Sequence, residues 1–229
     1  MTPISANLQA VLARIDAAAR RFGRDPESIA LLAVSKTWPA QCVREAAAAG
    51  QQAFGENYVQ EAVDKINELA ALPLRWHFIG PLQSNKSRLV AEHFDWVHSI
   101  DRLKLAERLS QQRPSQRPPL NVCLQVNVSG EATKRGCAPA EAPALARAIA
   151  ALPRLRLRGL MCIPEPAEVL DAQRQPFRQL RALFTDLQAR GLPVDTLSMG
   201  MSHDLEAAIA EGATIVRVGT AIFGDRNRQ

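Results

Sequence analysis

Apolar residues along this chain recur in two alternating patterns, one of helical and one of strand character. The first pattern is helical. Leu8, Val11, Leu12, Ile15, Ala19 and Phe22 share one face of a helix over residues 5–22, and Gly23 stops it. Strand-length apolar runs then appear at 29–36, 53–55, 75–80, 95–100, 120–128, 155–163, 194–198 and 213–218. Helical segments lie between them. The first covers 39–49 and ends at Gly50. The next is capped by Asn57 and carries Val59, Val63, Ile66 and Leu69 on its face. Others start at Ser84 and after a cap at Asp101, and further ones cover 139–152 and 175–190, the latter with Pro176 in its first turn. The last is capped by Ser202 and stopped by Gly212.

Alternating strand and helix units imply parallel pairing, because parallel neighbours need crossover connections. Eight such units in 229 residues predict an α/β chain folded as a (β/α)8 TIM barrel with an extra N-terminal helix. A doubly wound open sheet is the alternative. It usually has fewer strands and a glycine-rich first loop, where this chain carries lysine. The loop 113–119 is the most linker-like stretch, and it is too short to mark a boundary. Residues 1–229 are therefore expected to form a single barrel domain.

Composition narrows the function more than the fold. Hydrophobic residues make up 47% and charged residues 22%, an ordinary globular balance. No apolar run reaches bilayer-spanning length, and the first residues lack the basic and apolar regions of a signal peptide, so a cytoplasmic protein without membrane association is expected. The net charge of +5 raises the question of nucleic acid, but the cations are scattered and aromatics are only 5% of the chain. No basic stripe interleaved with stacking rings exists, so no nucleic-acid partner is expected. Cys42, Cys123, Cys137 and Cys162 form no CxxC pair and have no histidine at ligand spacing; they are expected to be free thiols, with no metal. Arg154, Arg156 and Arg158 alternate with Leu155 and Leu157, which suggests a solvated start to the sixth strand.

In a barrel of this kind function collects where strands give way to helices. Lys36 ends the first strand there. A half-buried ammonium is costly unless it is paired or gives up its proton, and a deprotonated lysine adds to aldehydes to form an imine. A lone lysine at a strand end ordinarily snorkels to solvent. The loops after the last two strands read Ser198-Met199-Gly200-Met201-Ser202 and Gly219-Thr220. Glycines admit backbone N–H groups close to an anion, and hydroxyls add donors, although both residue types also serve plain turns. Arg217 interrupts an apolar run beside them. It needs a partner, either a carboxylate such as Glu56 or Asp204 or a ligand heteroatom. A lysine, a phosphate cradle and a charged group for a ring nitrogen are what pyridoxal 5'-phosphate (PLP) requires. Asn57 and His77 lie near strand ends too. Asn57 reads first as a helix cap, and His77 as a core histidine. Lys134, after the fifth strand, suits a ligand or solvent equally.

The segments Ala33-Val34-Ser35-Lys36-Thr37, Phe54-Gly55-Glu56-Asn57-Tyr58, His77-Phe78-Ile79-Gly80-Pro81-Leu82-Gln83-Ser84-Asn85-Lys86, Leu197-Ser198-Met199-Gly200-Met201-Ser202 and Val216-Arg217-Val218-Gly219-Thr220-Ala221-Ile222-Phe223-Gly224 together resemble the YggS/PROSC family of pyridoxal phosphate homeostasis proteins. The resemblance implies a fold-type III PLP-binding barrel, like the N-terminal domain of alanine racemase. It implies PLP held as a Schiff base on Lys36, its phosphate between the serine–glycine loop and Gly219-Thr220, and Arg217 at the pyridine nitrogen. Asn57, His77, Ser198, Met199, Gly200 and Ser202 complete the expected cofactor-binding set. Family members are thought to buffer or deliver the cofactor without catalytic turnover, so no catalytic residue is assigned. Apo PLP-dependent enzymes are the expected recipients, and a monomer is expected. A racemase-like enzyme is the first rival. It needs an acid/base on each face of the cofactor, and the only tyrosine here is Tyr58. A Schiff-base aldolase, colourless and without cofactor, is the second.

Overall fold

The eight strands of the computed structural model are short and mostly buried, and together they close into one ring. The structure describes residues 2–130 and 135–225. Lys134 lies outside the described residues. The helix α1 (Pro3–Arg21) comes first, then β1 (Ala30–Val34), α2 (Ala40–Ala48), β2 (Ala53–Glu56), α3 (Val59–Glu68), β3 (Arg75–Phe78), α4 (Ser87–His93), β4 (Trp96–Ile100) and α5 (Leu103–Gln112). The second half runs β5 (Leu120–Gln125), α6 (Ala142–Ala150), β6 (Leu155–Met161), α7 (Leu170–Ala189), β7 (Thr196–Ser198), α8 (Leu205–Ala210), β8 (Ile215–Val218) and α9 (Thr220–Phe223). Each strand pairs in parallel with its sequence neighbour, and β8 returns to β1 with Leu32 opposite Arg217. The (β/α)8 barrel and its added first helix are as the periodicity predicts.

Strand alternation sorts the core into two layers. Phe54, Trp76 and Phe78 turn outward; Phe54 packs on Trp76, and Phe78 meets Phe94 edge to face at 5.4 Å. The inward set is more polar than a barrel lumen usually is, with His77, His98, Ser198 and Arg217 all buried. Outside, α1 lays Leu8, Val11 and Ile15 against α8 and α9. Each such side chain contributes about 1.5–3 kcal/mol by burial. Polar contacts fix its position. Asn7 donates to the Ile222 carbonyl (3.0 Å), and Arg14 forms a two-bond pair with Glu206, both bonds 2.6 Å.

The caps of three helices and the place of Pro176 differ from their sequence expectation. The N-cap of α3 is Tyr58, without a side-chain bond, so Asn57 is not a cap. The N-cap of α5 is Arg102, and Asp101 pairs with that arginine instead, at 2.6 Å. The N-cap of α8 is Asp204, so Ser202 stands two residues outside the helix. In each case the chain runs on past the strand before it turns helical, and the polar residue belongs to that connection. Pro176 lies inside α7 rather than in its first turn, because the helix starts at Leu170. The arginines at the start of the sixth strand also diverge, Arg154 lying just before β6. Arg156 is solvent-exposed, but Arg158 reaches inward, with its guanidinium 4.7 Å from the Trp96 ring and paired to Asp195 at 2.7 Å.

Candidate functional site

Lys36 is held from both sides by its neighbours. It lies two residues past β1 and is half-buried. Thr37, next along, has φ of +68°, a left-handed conformation that a β-branched residue rarely adopts. A buried polar cluster over-determines that turn. The Thr37 N–H donates to Glu61 Oε1 at 2.6 Å, the Ser35 hydroxyl to Glu56 Oε1 at 2.7 Å, and Lys65 Nζ to the Ser35 carbonyl at 2.8 Å. Lys65 is itself bridged to Glu56 (2.8 Å) and Glu61 (2.6 Å). Burial pushes the Glu56 carboxyl up from its ordinary value, against the lowering pull of Lys65. Sequence reading missed Lys65 and Glu61, although their i,i+4 spacing on α3 was the available signal.

Arg217 sits on β8 across from β1. Its Nη1 donates to the Ser198 carbonyl (2.7 Å) and hydroxyl (2.9 Å), and its Nη2 to the Cys162 carbonyl (2.9 Å). Both carboxylates weighed as partners are engaged elsewhere: Glu56 with Lys65, and Asp204 through its Oδ1 with the Met201 N–H at 2.6 Å. The Arg217 Nε–H has no partner among the described residues. Burial works against the guanidinium charge and lowers its pKa.

A second histidine, absent from the sequence reading, ties this arginine to His77. His98 Nδ1 is 2.7 Å from the Ser198 hydroxyl, and His98 Nε2 is 2.9 Å from His77 Nδ1. Burial lowers the His77 pKa to about 3 and pushes His98 well below the usual histidine range, with neighbouring cations adding to it. Both rings are neutral at pH 7. His77 therefore lies in the lumen, two hydrogen bonds from Ser198, with its ring stacked 5.2 Å from Trp96 at the opposite end of the barrel. The inward alternation of Trp96, His98 and Ile100 was the signal for His98.

The glycine loops stand at the C-terminal face. Gly200 has φ of +92°, and a Cβ there would lie 2.5 Å from the Ala208 Cβ. Its carbonyl accepts from the Arg217 N–H at 2.9 Å. Met199 is fully buried and Ser198 has its hydroxyl engaged, while Ser202 is half-buried and Thr220 exposed at the start of α9. Gly219 abuts β1: a Cβ on it would come 3.1 Å from the Val34 carbonyl, two residues before Lys36. Barrel closure thus brings the lysine loop and the last glycine loop side by side. Asn57 packs against Gly80, where a Cβ would sit 2.5 Å from the Asn57 carbonyl oxygen. The Asn57 Oδ1 is buried with no partner, an acceptor left for an outside donor.

These groups fit a phosphorylated aldehyde with a ring nitrogen: an amine, an unpaired acceptor, a free guanidinium N–H, and tight glycine turns beside a hydroxyl. The fold and this arrangement place the chain in the class of barrels that alanine racemase typifies. The family described as alanine racemase, N-terminal domain, matches residues 6–227. A protein of Pseudomonas aeruginosa named pyridoxal phosphate homeostasis protein is 65% identical over 227 residues, covering 99% of this chain and 97% of the relative. The chain belongs to the pyridoxal phosphate homeostasis protein family. Among solved structures, PipY of Synechococcus elongatus with PLP bound is 44% identical, with TM-score 0.82, over 93% of this chain and 100% of that one. Alanine racemase of Corynebacterium glutamicum shares the fold at 15% identity and TM-score 0.72, over 98% of this chain but 61% of its own. Among the described residues no helix is long and apolar enough to cross a membrane.

Proposed function

We propose that this protein binds PLP at the C-terminal face of its barrel and holds it for release to apo PLP-dependent enzymes, acting as a single barrel unit without turnover of amino acids. The observation that carries the reading is the closure of β8 on β1, which joins the Lys36 loop to Gly219 and Arg217. A 44% identical relative solved with PLP bound supports it.

Each residue has a share in holding the ligand. Lys36 takes the aldehyde through its ε-amine, with loss of water. Gly200, Gly219 and Thr220 receive the phosphate, and Asn57 Oδ1 accepts from a ligand donor. The Arg217 Nε–H donates to the ring nitrogen. An arginine keeps its proton at ordinary pH, so the nitrogen stays unprotonated. Bound PLP supplies an electron sink for carbanions in most of its enzymes. Arg217 weakens that sink, which suits a carrier. Tyr58 is 53% exposed beside α3, and among the described residues no acid is hydrogen-bonded to it. Ser198, His98 and His77 hold Arg217 from beneath rather than touching the ligand.

Borohydride fixation followed by peptide mapping tests the attachment. The label is expected on Lys36; label mainly on Lys134 or another lysine overturns the assignment. Thr220→Ala is expected to weaken PLP binding by about 1 kcal/mol or more, as for a hydrogen bond to a charged group. Mixing the loaded protein with an apo PLP enzyme tests the role. Activation without exchange of α-protons in added amino acids is expected. Rapid racemisation dependent on Lys36 would make the protein an enzyme.

A further inference from the structure

The opposite, N-terminal mouth of the barrel holds a cavity of about 280 Å³, lined by Arg75, His77, Trp96, Arg158, Thr196 and Thr214. The hydrogen-bonded line across the lumen ends there, and its direction can be worked out. Arg217 has no acceptor, so it must donate to the Ser198 hydroxyl oxygen. That hydroxyl has one proton and one other partner, His98 Nδ1. Sending that proton to His98 Nδ1 is the arrangement that gives it a partner, and the His98 proton then sits on Nε2. His98 then donates to His77 Nδ1, which leaves the His77 proton on Nε2. Every bond points the same way, from Arg217 toward the cavity. The last donor, His77 Nε2–H, has no partner among the described residues. Nor has the guanidinium of Arg75, which stands at the rim. Arg158 adds a second cation, balanced by Asp195. The lining thus presents one unbalanced positive charge and two idle donors.

We propose that this cavity is a binding site for a small oxyanion, a carboxylate or a phosphate, received by His77 Nε2–H and Arg75. The site is separate from the PLP-binding face and does not depend on that reading. An anion there accepts the last proton of the donor line.

Nitrogen-15 NMR of the histidine side chains, on the protein without added PLP at pH 7, tests it. His77 and His98 are both expected as neutral rings protonated at Nε2. Acetate and inorganic phosphate are titrated in separate arms against sodium chloride at matched ionic strength. At least one is expected to shift His77 Nε2 saturably; saturation by phosphate alone identifies a phosphate ligand, and by acetate a carboxylate. Arg75→Gln, an exposed position, is expected to raise the midpoint roughly tenfold while leaving both tautomers unchanged. A His77 protonated at Nδ1, or no saturable shift with either anion, would overturn the proposal and leave water as the occupant.

Discussion

Lys65 Nζ donates to the carbonyl of Ser35 over 2.8 Å, and so grips the residue immediately before Lys36. The Glu61 carboxylate, one turn back on α3, grips the residue immediately after it. A left-handed threonine would otherwise relax, since nothing local favours that conformation. The polar cluster beneath the loop therefore fixes the backbone on either side of Lys36.

Removing the ammonium tests this arrangement. Lys65→Met leaves Glu56, wholly buried, without its cation. A stability loss of about 3 kcal/mol or more is expected in urea titration, as for breaking a buried pair. Arg44→Gln, which breaks an exposed 3.4 Å pair with Glu68, is expected to change stability by less than about 1 kcal/mol. Similar effects of the two would remove the cluster from the account of Lys36.

The turn at Gly200 makes a geometric prediction. Gly200→Ala combines an unfavourable positive φ with a 2.5 Å approach to the Ala208 methyl. A loss of about 1–3 kcal/mol is expected by denaturant unfolding. Adding Ala208→Gly is expected to restore part of it by removing the collision. No restoration would mean that the dihedral alone is responsible.

The lumen histidines set an acid limit. His77 titrates near 3 in the folded chain, below its ordinary value of 6.5. Between those values the unfolded chain binds the extra proton and the folded chain does not. Stability therefore rises with pH across this window and is lost as pH falls through it. From pH 7 to pH 5 His77 alone is expected to cost about 2 kcal/mol. His98, lowered in the same direction, adds to the loss. Stability curves at both pH values check it, with His77→Asn expected to flatten the difference.

Arg217→Glu separates a structural from a ligand-facing role. The native side chain serves three oxygen acceptors on β7 and beside β6. A carboxylate in its place faces those oxygens with no donor. Destabilisation of several kcal/mol is expected, seen as a lowered melting temperature without any ligand. A variant as stable as the parent would show that Arg217 serves a ligand alone.

The parts that could be read from the residues alone share a physical cause. Barrel strands are largely buried on both faces, so Ala30–Val34 is continuously apolar and Ile215–Val218 is apolar but for Arg217, and both stand out. Lys36, Gly200, Gly219 and Arg217 stand out because each departs from its apolar or regular surroundings. His98 and Lys65 do not, since a histidine in a strand and a lysine on a helix are unremarkable until closure supplies Ser198 and Glu56. Asn57 and Ser202 read as caps because capping is the local use of such residues. What displaces them is the length of the connections, which depends on tertiary geometry.

The seam between β1 and β8 also has a consequence for how the chain is made. Lys36 emerges early in synthesis, whereas Arg217 and Gly219 emerge near the end. α1 likewise waits for α8 and α9 before it can bury its apolar face. Contacts so distant in sequence form late in folding. A ligand that spans the seam can be held only by a chain that has finished folding, and by mass action it draws the population toward that state. Loading would then act as a checkpoint: unfinished or damaged molecules would leave the cofactor in solution.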